Sequence, residues 1–239
     1  MERTAGWEVP WTWADAAVAF LAGILLAELT RQLLALGLTP DLWRAVGPLV
    51  GSLALLLAVL GWVGLRHPGT LARLAGPDPP GARVVLLGLG HGLVAFLVLN
   101  LGFAQVFTYL ARLLGIELPP VQETVREVIT DPDIAIVGML YVVLVAVVVE
   151  EVYFRGLLFQ ALRRPLGPWP AIGLSGLLFG LAHYQAGNPL GWLYTFVVMF
   201  PFGVYLAWTF NRYRTLVVPL LMHLLFNVLA LVTILRGWG

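Results

Sequence analysis

The stretch that decides the fold of this chain is IAIVGMLYVVLVAVVVEEVYFRG, residues 134–156. Its opening run, Ile134–Val149, has no charged side chain, and the run Gly47–Leu65 has the same character. Such runs reach or approach the roughly 17–25 apolar residues that a helix needs to cross a bilayer. Backbone polar groups cannot stay unpaired in lipid, and the sequence lacks the alternation of barrel strands, so the spanning elements must be helices. We therefore predict an all-α, polytopic transmembrane helical bundle.

The composition of the whole chain supports a membrane protein and argues against several other classes. Of its 239 residues, 60% are hydrophobic and only 11% are charged, whereas a soluble domain carries about a quarter charged residues. A net charge of +1 argues against nucleic acid as a partner. Cysteine is absent, which excludes disulfides, thiol catalysis and zinc–thiolate sites.

Hydropathy and the breaks rich in proline and glycine divide the chain into about seven spans, within a range of about six to eight. The predicted spans cover about residues 14–37, 47–65, 84–113, 134–162, 169–185, 190–210 and 215–235. A short amphipathic helix at the membrane interface is expected within Pro119–Asp133, where charged side chains cluster. We expect one membrane-embedded domain over residues 1–239, with the motifs for function in residues 134–235.

The placement of arginines predicts the orientation, because cytoplasmic loops carry an excess of basic residues. With seven spans, one side of the membrane collects Arg3, Arg66, Arg73, Arg83, Arg163, Arg164, Arg212 and Arg214. The other side collects Arg31, Arg44, Arg112, Arg126 and Arg236. This distribution favours a cytoplasmic N-terminus in a multi-pass protein of the cell (inner) membrane.

Ionisable side chains inside the predicted spans are few. Each is a candidate for function, because burying a charge in lipid costs about 2.5–3.5 kcal/mol. The set comprises Glu28, Arg31, His91, Glu150, Glu151, Arg155, His183 and His223, with Asn227 as an uncharged companion. Glu28 and Arg31 are three residues apart and are expected to pair with each other. His91 lies among glycines, which indicates close helix packing.

The two adjacent acids, Glu150 and Glu151, are expected to differ in role. Glu151 precedes Arg155 by four residues, the favourable order for an ion pair within one helix. Such a pair makes Glu151 a poor base. Glu150 points about 100° away around the helix and has no equally close cation. Burial disfavours the charged form of an unpaired carboxylate, and this suits a group that takes a proton from water.

The histidines and Asn227 are predicted to reach the same depth as Glu150. His183 shares a helical face with Phe179, and His223 shares one with Asn227, because each pair is four residues apart. From the presumed cytoplasmic ends of their helices, the rise per residue places Glu150 and Asn227 at ~18 Å, His183 at ~20 Å and His223 at ~12 Å. All four side chains can therefore meet near the middle of the bilayer.

Three motifs in this order on three predicted helices resemble the CPBP family. These are Glu-Glu-x-x-x-Arg at 150–155, Phe-x-x-x-His at 179–183 and His-x-x-x-Asn at 223–227. The family groups type II CAAX prenyl endopeptidases with bacteriocin-processing and abortive-infection proteins. The resemblance spans residues 150–227, and the first 130 residues or so match only in being hydrophobic.

The resemblance implies a membrane-embedded endopeptidase that cleaves a membrane-associated peptide or protein, lipidated substrates included. Glu150 with His183 would activate a water molecule, and His223 and Asn227 would stabilise the oxyanion or help to hold the water. The supporting residues would be Glu151, Arg155 and Phe179. No cofactor is favoured, and the alternative is a zinc ion held by Glu150, His183 and His223.

Two other readings compete with this one. Gly-Leu-Ser-Gly at 173–176 resembles the Gly-x-Ser-Gly of rhomboid-like serine proteases, with Ser175 as nucleophile and His223 as its partner. That reading leaves Glu150 and Glu151 unexplained, and small residues at this spacing are common in packed membrane helices. The non-enzymatic alternative is a proton-relay transporter or an immunity protein, because intramembrane Glu and His also build proton relays.

Overall fold

The computed structural model describes residues 7–34, 37, 39–118, 123–131, 133–184 and 187–237, and within them all regular structure is helical. Eight helices follow one another, with a short 3₁₀ helix, Leu71–Ala75, after the second. The helices are α1 (Trp13–Leu34), α2 (Pro40–Arg66), α3 (Val84–Leu113), α4 (Glu123–Thr130), α5 (Ala135–Leu166), α6 (Pro168–Ala182), α7 (Pro189–Tyr213) and α8 (Val217–Leu235). The predicted all-α bundle is confirmed.

Six of these helices are long and apolar enough to cross a membrane, so the protein is a multi-pass membrane protein. The exception among the seven predicted spans is α6, which has 15 residues. At 1.5 Å per residue it rises only about 22 Å, less than the roughly 30 Å of a hydrocarbon core. The interfacial helix expected within Pro119–Asp133 is α4, while residues 119–122 and 132 lie outside the described part.

Helix α5 lies at the centre of the bundle. Three closely packed helix pairs surround it, namely α1 with α2, α3 with α8, and α6 with α7, and α5 contacts members of all three pairs. Two segments of α5, Tyr141–Val145 and Val152–Phe159, are wound as wider π-helix. Such segments are frequent at functional sites, because they redirect side chains and carbonyl groups.

Glycines allow the closest helix contacts around α5. A Cβ atom on Gly176 of α6 would lie 2.6 Å from the backbone nitrogen of Val204 in α7. On the other side of the bundle, a Cβ on Gly92 of α3 would lie 2.8 Å from the carbonyl oxygen of Met222 in α8. Only glycine fits such approaches of backbone to backbone. The second contact fixes the part of α8 that carries the next residue, His223.

One end of the bundle gathers arginines that the sequence places on a single side. Arg73 donates to the carbonyl of Glu8 at 2.9 Å, and Arg163 donates to Asn211 at 2.9 Å. Arg163 and Arg214 both lie over the ring of Trp7, with guanidinium-to-centroid distances of 4.5 and 5.3 Å. Arg3 lies outside the described residues.

Candidate active site

Glu151 and Arg155 form the predicted ion pair on α5. Arg155 Nη1 donates to Glu151 Oε1 at 3.0 Å, and both side chains are 0% exposed. The guanidinium also donates to the carbonyl of Gly203 on α7 at 3.1 Å. It lies over the ring of Phe179, with its central carbon 4.5 Å from the ring centroid. Arg155 therefore ties α5 to both α6 and α7.

Glu151 has a second partner that the sequence did not reveal. The same Oε1 atom lies 2.8 Å from Nδ1 of His223, which comes from α8 and is 4% exposed. The imidazole of His223 is flanked by Phe179 and Phe202, with ring centroids 5.9 and 5.2 Å away. Neither the Glu151–His223 contact nor the role of Phe202 follows from helical spacing, because the residues come from different helices.

Glu150 lies on the other side of the His223 ring. Its Oε2 atom is 3.9 Å from Nε2 of His223, and its side chain is 27% exposed. Unlike Glu151, it has no arginine as a hydrogen-bond or ion-pair partner among the described residues. Oε2 itself is buried and has no hydrogen-bond partner within the described residues. The structure thus places one imidazole between two carboxylates, and among the described residues only Glu151 forms an ion pair with an arginine.

His183 follows the last residue of α6 and packs on Phe179. Its Nδ1 atom lies 2.9 Å from the carbonyl oxygen of Phe179, and the two ring centroids are 4.8 Å apart. A carbonyl oxygen can only accept, so Nδ1 carries the proton, and in the neutral ring Nε2 keeps its lone pair. Phe179 thereby contacts His183, His223 and Arg155, which explains why an aromatic residue in α6 precedes the histidine by one turn.

Asn227 contacts α5 at a point before the two acids. Its Nδ2 donates to the carbonyl oxygen of Val142 at 3.0 Å. Val142 belongs to the first π-helical segment of α5, where the wider winding changes how carbonyl groups are paired. An amide group has two N–H donors and one carbonyl acceptor. Among the described residues, one N–H and the oxygen of Asn227 have no further hydrogen-bond partner.

The predicted residues are not all joined directly. His223 contacts both acids, and Phe179 links His223 to His183. In the described part of the chain, no hydrogen bond or ion pair joins Glu150 to His183 or to Asn227. The centre of the constellation is thus the group Glu150, Glu151, Arg155 and His223, with His183 and Asn227 at its edges.

The two alternative chemistries find less support in the geometry. Ser175 is 0% exposed, and its hydroxyl donates to the carbonyl of Phe154 at 3.3 Å. Among the described residues no hydrogen bond joins the Ser175 hydroxyl to His223, the bond that a serine dyad requires. Among the described residues, no group of three acidic or histidine side chains is arranged to hold a metal ion.

The comparisons with known proteins agree with the motifs. The family model described as type II CAAX prenyl endopeptidase Rce1-like matches residues 132–229, less than half of the chain. No curated protein and no solved structure matches the chain. The matched segment includes all three motifs and every residue of the constellation described above. Over residues 132–229 this chain is similar to the family described as type II CAAX prenyl endopeptidase Rce1-like, and this match confirms its resemblance to the CPBP family.

Proposed function

We propose that the chain is an intramembrane endopeptidase that hydrolyses a peptide bond with a water molecule activated by Glu150 and His183. Asn227 supplies a donor to the oxyanion in this proposal, and His223 helps to hold the water. The family match over residues 132–229 supports a membrane-embedded protease in general. The assignment of individual residues rests on their geometry.

The observation that carries the proposal is the gap between Glu150 and His223. The 3.9 Å from Oε2 to Nε2 is too long for a direct hydrogen bond. It is a separation at which a water molecule can bridge two polar groups. The buried, unpartnered Oε2 gives such a water an acceptor in a region of low dielectric. A carboxylate that contacts a water molecule and is not paired with an arginine is suited to act as a general base.

The proposed reaction is a two-step hydrolysis. Glu150 takes a proton from the water while the water oxygen attacks the carbonyl carbon of the scissile bond, which yields a tetrahedral oxyanion. The second N–H of Asn227 stabilises the oxyanion, an effect typically worth about 3 kcal/mol per donor. Nε2 of His223, which carries no proton when Nδ1–H is bound to Glu151, lines the water site. The C–N bond then breaks, the carbonyl re-forms, and the proton held by Glu150 passes to the leaving amine.

His183 has a defined part in this scheme. Because its Nδ1–H is bound to the Phe179 carbonyl, the lone pair of Nε2 can accept a hydrogen bond from the same water and orient it toward the substrate. We further propose that the reaction needs no metal. The zinc alternative requires Glu150, His183 and His223 together, and among the described residues no three acidic or histidine side chains are arranged to hold a metal ion.

The substrate class and the setting follow from the membrane location. We propose a membrane-associated peptide or protein as substrate, and the family description makes lipidated C-terminal sequences the first to test. The arginine distribution favours the cell (inner) membrane with a cytoplasmic N-terminus. The end of the bundle at which Arg163 and Arg214 lie over the ring of Trp7 would then face the cytoplasm.

The experiment that tests the proposal compares the wild type with Glu150→Gln in liposomes. Peptides from digested membrane proteins, together with a farnesylated peptide ending in Cys-aliphatic-aliphatic-X, are incubated with each protein and analysed by mass spectrometry. We expect cleavage products with the wild type only, and undiminished cleavage in the presence of 1,10-phenanthroline. Absence of any product from the wild type would favour a proton-relay transporter or an immunity protein. Inhibition by the chelator, reversed by zinc, would replace the metal-free mechanism.

Replacement of Ser175 by alanine should leave peptide cleavage within about threefold of the wild-type rate. Ser175 is fully buried and its hydroxyl is bound to the Phe154 carbonyl, so it serves packing between α5 and α6. The measurement is the cleavage rate together with labelling by a fluorophosphonate probe. A labelled Ser175 and an inactive Ser175→Ala variant would establish the rhomboid-like mechanism instead.

A further inference from the structure

The hydrogen bond between Glu151 and His223 determines which ring nitrogen faces the proposed water. A carboxylate paired with an arginine can only accept hydrogen bonds. Glu151 Oε1 lies 2.8 Å from Nδ1 of His223 and 3.0 Å from Nη1 of Arg155. Nδ1 must therefore carry a proton, and Nε2 is the nitrogen directed at Glu150. The hydrogen bond from Nδ1 to Glu151 thus leaves Nε2 without a proton on the side of the ring that faces Glu150.

Packing keeps the imidazole in this orientation. The rings of Phe179 and Phe202 meet it edge to face, at interplanar angles of 76° and 87°, and both are 0% exposed. A half-turn of the imidazole about its Cβ–Cγ bond would exchange Nδ1 with a carbon atom. That rotation would break the contact with Glu151 and turn Nε2 away from Glu150.

We propose that Glu151 is a positioning residue for the hydrolysis and not merely the counter-ion of Arg155. It holds His223 in the tautomer and ring angle in which Nε2 faces the water between His223 and Glu150. The effect on rate rests on the proposed function, whereas the tautomer of His223 can be measured without any substrate. In a serine protease, loss of the carboxylate that orients a catalytic histidine lowers kcat by about 10⁴-fold.

The test uses a double variant, because Glu151→Gln alone leaves Arg155 charged and unpaired inside the bundle. Glu151→Gln combined with Arg155→Met removes both charges of the pair together. The protein has four histidines, so ¹⁵N-histidine labelling in detergent gives few signals, and a His223→Gln variant identifies those of His223. In the wild type we expect the Nδ1 signal of a protonated nitrogen. In the double variant we expect signals from both tautomers.

The same double variant separates positioning from charge balance. We expect it to melt within a few degrees of the wild type and to show at least about a 100-fold lower kcat, with KM within about threefold. The matched control is Glu28→Gln with Arg31→Met, which removes a Glu–Arg pair of α1 that is roughly half exposed. We expect this control to change neither the melting temperature nor kcat. The substrate is the peptide that the wild type cleaves best.

Two results would overturn the proposal. A double variant that cleaves at the wild-type rate would show that Glu151 serves only to balance Arg155. An unprotonated Nδ1 of His223 in the wild type would remove the basis for positioning, whatever the activity. If the wild type cleaves no peptide, the proposed function fails, yet the tautomer measurement still decides whether Glu151 orients His223.

Discussion

Glu150→Gln is expected to abolish peptide cleavage while the bundle stays folded. Glutamine keeps the shape of the side chain but cannot take a proton from water, and a general base contributes about 10²–10⁴-fold to a rate. Stability should be little affected, because Glu150 has no arginine partner among the described residues and its side chain is 27% exposed. The measurement is kcat for the best-cleaved peptide, with thermal unfolding in detergent alongside.

The matched control for this prediction is Glu28→Gln. It makes the same chemical change inside another span, at a side chain that pairs with Arg31 on the outside of the bundle. We expect full activity from this control. A Glu150→Gln protein that keeps more than about a tenth of the wild-type kcat would exclude Glu150 as the base. One that unfolds at a much lower temperature would make Glu150 a structural acid.

Features that depend on one helix at a time could be predicted from the sequence. The apolar runs predicted the membrane-spanning helices, because the thickness of the bilayer fixes the minimum length of such a helix. The Glu151–Arg155 pair was predictable because residues four apart on a helix are neighbours, and the structure places them 3.0 Å apart. The Glu28–Arg31 pair was predictable on the same ground, and Nε of Arg31 lies 2.7 Å from Glu28.

Features that depend on how helices pack could not be predicted. Helical spacing carries no information about the contact of Glu151 with His223 or of Asn227 with the Val142 carbonyl, because each joins α5 to α8. No sequence pattern predicted the contact of Phe202 with His223, since Phe202 is one aromatic residue in an apolar helix. The short length of α6 was also missed, although it determines that His183 lies at a helix end.

The adjacent position of the two acids explains their separate surroundings. Neighbouring residues on a helix point about 100° apart, so a single imidazole from α8 can meet both carboxylates with different nitrogens. Glu151 is turned into the protein, where Arg155 and His223 neutralise it. The side chain of Glu150 is 27% exposed and has no arginine partner among the described residues. In the proposed mechanism, one short stretch of α5 thus supplies both a structural acid and a reactive one.

Glu151→Gln is expected to act mainly on stability, in contrast to Glu150→Gln. The change leaves Arg155 charged, 0% exposed and without its carboxylate, and breaking one side of a buried ion pair commonly costs about 3–5 kcal/mol. It also replaces a carboxylate that only accepts from Nδ1 of His223 by an amide that can either accept from or donate to that nitrogen. We therefore expect a melting temperature in detergent roughly 10 °C lower, poor membrane yield, and lost cleavage in the protein that does fold.

Reversing the pair is a less suitable rescue than removing both charges. Glu151→Arg with Glu at position 155 would bring a cation against His223, whose Nδ1 lies 2.8 Å from the present carboxylate. Glu151→Gln with Arg155→Met avoids that repulsion and should recover most of the lost stability, since replacing a buried ion pair by neutral side chains is often neutral or stabilising. Glu28→Gln, which breaks an exposed pair, should melt like the wild type. A Glu151→Gln protein that melts like the wild type, beside a Glu150→Gln protein that does not, would reverse the roles of the two acids.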